Sequence, residues 1–90
     1  MAKIYSYGSA RTAPTELIAT DATDLKIGDL VVITDGKVVK AGSAEPTYLV
    51  VGVTTDLKEV HVAAILDDMV LESEEAITGY QLVGEKLYRK

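Results

Sequence analysis

Few side chains in this 90-residue chain have the chemistry for catalysis. There is one histidine, His61, and there are two pairs of adjacent carboxylates, Asp67-Asp68 and Glu74-Glu75. With no cysteine and no second histidine, His61 cannot by itself build a thiolate zinc site or a nucleophile–histidine–acid relay. It reads as a surface histidine on a strand. Neighbouring residues of a strand point to opposite faces, so neither carboxylate pair is preset as an acid–base dyad. The stretch from Asp67 to Glu75 holds five acids (Asp67, Asp68, Glu72, Glu74, Glu75) and no base. It lacks the EF-hand spacing of acids around a glycine, so it reads as an acidic face for solubility or for docking a basic partner. The glycines at 28, 36, 42 and 52 match turns and neither phosphate-cradling pattern. The expectation is a protein that is not an enzyme, with no catalytic residue, no metal and no cofactor.

What remains is binding. Tyr5 and Tyr7 share a face near Lys3 and Arg11, which on a basic protein would suggest base stacking. A formal net charge of -5 opposes a phosphate track and an anionic lipid surface alike. These tyrosines therefore read as interface or core residues, since Tyr offers apolar area with a polar tip. No stretch approaches the roughly 18–20 apolar residues of a bilayer span. The opening Met1-Ala2-Lys3-Ile4-Tyr5 lacks the apolar core of a secretory signal. Nucleic acid and membrane are thus not expected partners.

The elements that must position these residues are strands. Val, Thr, Ile and Tyr make up about a third of the chain, and such side chains suit a pleated, half-buried surface. Asp35-Gly36 between Leu30–Thr34 and Lys37–Lys40 predicts a hairpin with a type I′ turn. Gly52 inside the run 47–54 predicts a bulge or a close backbone approach. In 59–66 the residues alternate. Val60, Val62, Ala64 and Leu66 are expected inward, with Glu59, His61, Ala63 and Ile65 on the other face. Asp67-Asp68 and Asp56-Leu57-Lys58 predict turns, and Gly84-Glu85 a second hairpin between Tyr80–Val83 and Lys86–Arg89. A loop with one helical turn is expected near Ile18–Leu25. A second helical turn is expected after Ser73 as N-cap, stopped by Gly79. The fold class is all-β: a small barrel or sandwich of short strands with little helix. Residues 1–16, with only Ile4 as an aliphatic anchor, read as an extended N-terminal arm, and 17–90 as a single β-domain.

The run Ile27-Gly28-Asp29-Leu30-Val31-Val32-Ile33-Thr34-Asp35-Gly36-Lys37-Val38-Val39-Lys40-Ala41 resembles the opening hairpin of small head decoration (capsid cement) proteins of tailed bacteriophages. In that group a G-D/T-L-V start and a K-V-x-K-A return precede a variable loop. A V-G-V strand, a valine-rich strand and a short V-L strand follow. Here Val51-Gly52-Val53, Val60–Leu66 and Met69–Leu71 match those three, so the resemblance spans about residues 25–73.

The resemblance implies a noncatalytic β-domain that binds the outer surface of the assembled head and stabilises it. The partner would be the major capsid protein. The place would be the virion capsid surface, reached from the host cytoplasm during assembly. It implies a homo-oligomer, with a trimer favoured, and an N-terminal arm that pairs with the capsid protein. Here that arm would be Lys3, Ile4, Tyr5, Ser6 and Tyr7. The segment 80–90 departs from the pattern and looks like an added hairpin. The alternative is a small SH3-like β-barrel adaptor that binds a peptide or protein partner.

Overall fold

A computed structural model describes residues 2–8, 14–56 and 58–90. Arg11, the middle of the expected arm and Leu57 of the Asp56-Leu57-Lys58 turn lie outside the described residues. The described chain is all β, with nine strands. They are β1 (Lys3–Ser6), β2 (Thr15–Ala19), β3 (Leu30–Thr34), β4 (Lys37–Lys40), β5 (Tyr48–Val53), β6 (Glu59–Ala64), β7 (Val70–Glu72), β8 (Tyr80–Val83) and β9 (Lys86–Arg89). They form two antiparallel sheets, sheet A in the order β1-β7-β9-β8 and sheet B in the order β2-β6-β5-β3-β4. The arrangement is a sandwich. Sheet B curls until β2 and β4 touch, but only through one parallel bridge, Thr20 to Val38, so no barrel closes.

The turns follow the residues that demand them. Asp35 and Gly36 have φ of 52° and 77°, the two positive values that a type I′ turn needs to join β3 to β4. The β5–β6 ladder slips between Val50 and Gly52, leaving Val51 as the extra residue of a bulge, and Gly52 faces His61. A Cβ on Gly52 would sit 3.4 Å from the His61 ring, so the close approach and the bulge occur together.

Each of the three central strands of sheet B feeds two cores. Val31, Val50 and Val62 point to one side, where Val38, Val60 and Leu25 join them. Leu30 and Leu49 point to the other side and meet Leu71, Tyr80 and Leu87 of sheet A. This corrects the expected faces of 59–66. Val60 and Val62 are fully buried as expected, but Ala63 and Ile65 are buried as well, against Met69 and the sheet A core. Sheet A covers that end of β6, and only Glu59 and His61 of the second face stay exposed.

Neither helical turn forms. Ile18 belongs to β2, and residues 21–29 run as loop. Thr20 explains why: its backbone and hydroxyl bond to the neighbouring strands, which holds this segment against sheet B. Ser73 does accept a bond from the Glu75 N–H (3.1 Å), but the chain bends there without completing a turn of helix. Gly79, at φ 86°, lies in the turn into β8. The C-terminal hairpin is also no appendage. β9 lies between β7 and β8 in sheet A, and Leu87 is fully buried.

Candidate functional site

Residues 3–6 lie extended as β1, an outer strand of sheet A. β1 pairs with β7 on one side, with Lys3 opposite Glu72, Ile4 opposite Leu71 and Ser6 opposite Val70. Ala2 and Ile4 pack into the core between the sheets. A backbone relay fixes the start of the strand: the Ala2 N–H donates to the Gly28 carbonyl (3.0 Å), and the Gly28 N–H donates to the Val50 carbonyl (2.9 Å). At the other end Gly8, at φ 64°, crosses the β6–β7 turn. A Cβ there would lie 2.5 Å from the Asp68 carbonyl oxygen, so only glycine fits.

The register of sheet A lines up side chains in rows. On the inner face the row is Ile4, Leu71, Leu87, Leu82. On the outer face it is Lys3, Glu72, Lys86, Val83. The Lys3 ammonium lies 3.1 Å and the Lys86 ammonium 3.3 Å from the two oxygens of Glu72. These hydrogen bonds, from Lys3 first and Lys86 second, hold the Glu72 carboxyl below the usual carboxylate range. Lys86 also sits 4.1 Å over the Tyr5 ring, a cation–π contact. Tyr5 falls at the slip in the β1 ladder and remains 60% exposed.

Beside β1 runs a shallow groove of about 250 Å³ whose walls include Ile4, Tyr7, Ile27 and Val51. Tyr7, Ile27 and Val51 are all large, apolar and exposed. The site thus combines a strand edge that no other described strand pairs with, two exposed tyrosines and an apolar groove. It offers main-chain pairing together with pockets for alternate side chains, which suits recognition of an extended segment of protein.

The acids of 67–75 do not converge. Asp67 and Asp68 occupy the β6–β7 turn, Glu72 is engaged by two lysines, and Glu74 and Glu75 follow the bend at Ser73. Among the described residues no group of three or more His, Asp or Glu is placed to hold a metal ion. His61 is exposed on β6 beside Leu17 and Gly52.

Three residues of the site escape the sequence reading. Lys86 belongs to it only through the register of sheet A. Ile27 lies in the turn at Gly28 and is exposed there, which its apolar type does not announce. Val51 had a signal, since a bulge at Gly52 turns its neighbour outward. No family profile, characterised protein or solved structure matches the chain.

Proposed function

We propose that this chain is a noncatalytic decoration protein that binds the outer surface of an assembled phage head through β1 and the groove beside it. The observation that carries the reading is the open β1 edge with exposed Tyr5 and Tyr7 next to an apolar groove. Exposed strand edges are hazards in isolation and are commonly satisfied by a partner. The capsid as partner comes from the resemblance of residues 25–73. Weak single contacts suffice in such a role, because many copies on one shell act together.

Deleting the arm is a poor test, since it removes Ala2 and Ile4 from the core. The better variant is Y7S/I27S, which changes only exposed side chains of the groove. Co-sedimentation with emptied heads of tailed phages measures the effect. The expected result is saturable binding by the wild type and a loss of about tenfold or more in the variant. No binding by the wild type overturns the capsid reading, and equal binding by both overturns the site.

A further inference from the structure

The four outer strands of the two sheets are protected unequally. β4 is bracketed by Lys37 and Lys40, and β2 carries Glu16; the two also meet at the Thr20–Val38 bridge. β1 carries Lys3 and an irregular step in its ladder. Charges and bulges of this kind are the usual means of keeping an edge from pairing with other copies of the same chain. β8 has none of them. Its sequence is Tyr80-Gln81-Leu82-Val83, uncharged and regular, and no described strand pairs with its outer side. Val83 is 54% exposed.

From this contrast we infer that β8 pairs antiparallel with β8 of a second copy, across a two-fold axis at Leu82. Three observations select a second copy as the occupant. A strand that pairs with its own image sets like residues near like, so a charged strand would repel itself, and β8 is neutral in a chain of net charge -5. The hairpin closes at Val83–Lys86, so the bonded pairs of the β8–β9 ladder are 83–86 and 81–88. The N–H and carbonyl of Leu82 then point to the free edge, and two copies of Leu82 can bond each other. Finally, the inner row Ile4-Leu71-Leu87-Leu82 ends half-buried at this edge. Setting Leu82 against its copy keeps the faces matched and continues the apolar row through the axis. In that register Gln81 faces Val83 of the partner on the outer side, and sheet A becomes one eight-stranded sheet. β1 lies at the far side of sheet A and stays open.

The register is testable by charge. Gln81 and Val83 are both exposed. Q81E/V83E sets carboxylates opposite each other at both outer pairs, while Q81K/V83E sets opposite charges there. In either protein the new acid at 83 lies across from Lys86, so the monomer fold is retained, which circular dichroism checks. Sedimentation velocity of the protein alone, up to about 1 mM, reads the association. The expected result is a concentration-dependent dimer. Q81E/V83E should weaken it about tenfold or more, and Q81K/V83E should associate at least as well as wild type. A wild-type monomer throughout overturns the inference. So does a trimer, or a dimer indifferent to both variants. None of these outcomes depends on a capsid partner, so this inference and the head-binding proposal fail separately.

Discussion

Sheet B is the interior of this protein and sheet A is its cover. Strands β3, β5 and β6 of sheet B present apolar side chains to both faces, as Leu49 and Val50 do on successive positions of β5. Strand β9 of sheet A buries Leu87 and leaves Tyr88 exposed beside it. The edges differ in the same sense. The outer strands of sheet B meet at Thr20, whereas among the described residues no strand pairs with the outer side of β1 or β8 in sheet A. A sheet with one dry face and two free edges can spend its other surfaces on recognition. A sheet buried twice cannot, and the candidate site and the candidate self-pairing edge both belong to sheet A.

Alanine substitutions at adjacent positions break or sharpen that contrast most strongly. In β5, L49A and V50A should both destabilise, by about 2–5 and about 2 kcal/mol respectively, since each opens a cavity in a different core. In β9, L87A should cost about 2–5 kcal/mol and Y88A only about 0.5 kcal/mol, because a surface side chain away from special features matters little. Urea unfolding with unchanged slope measures all four. A Y88A loss as large as that of L87A would show that the outer face of sheet A is also packed.

The next effect in size concerns the edges. Thr20 is buried, and its hydroxyl donates to the Val38 carbonyl at 2.7 Å while accepting from the Ala22 N–H at 3.1 Å. T20V keeps the shape and leaves both partners unpaired, so about 1–3 kcal/mol should be lost. T20S should recover most of it. If T20V is neutral, the meeting of β2 and β4 is incidental and sheet B is as open as sheet A.

How far the sequence anticipates this division depends on the distance between partners. The β3–β4 hairpin is legible because Asp35-Gly36 is local and allows one turn type. Gly52 marks the bulge for the same reason, as a glycine inside a valine run. The alternation in β6 predicts Val60 and Val62 but fails at Ala63 and Ile65. Nothing local says that β7, β8 and β9 will fold over that end. β2 is hidden because Thr15-Glu16-Leu17-Ile18-Ala19 is a poor strand by composition and becomes one only by pairing with β6. The site is legible as residues and not as a place. Lys3–Tyr7 stand out by type, yet their neighbours Lys86 and Val51 come from strands far along the chain. Arg89 is the extreme case, bonding the Ile65 carbonyl (3.3 Å), the Tyr80 hydroxyl (3.4 Å) and Glu45 (3.0 Å) across the two sheets. No spacing predicts that set.

The smallest effect separates the sheets by pH. Glu72 ties β1, β7 and β9 together through Lys3 and Lys86, and its carboxyl is held below the ordinary value of 4.5. A carboxyl whose folded value is depressed adds stability above its unfolded value, and that stability is lost as pH falls through the folded one. In sheet B the analogous groups are Asp24, lowered by its hydrogen bond to Lys40, and Asp56, lowered by the Lys58 N–H and the Thr54 hydroxyl. E72Q removes only the sheet A contribution. The stability difference between wild type and E72Q should therefore be largest near neutral pH, shrink below about pH 4.5, and nearly vanish below the folded value. It should also narrow with added salt, because the cluster is partly exposed. Denaturation of both proteins from pH 7 to pH 3 tests this. A constant difference would mean that Glu72 acts by packing alone. The outer row of sheet A would then be held by contact and not by charge.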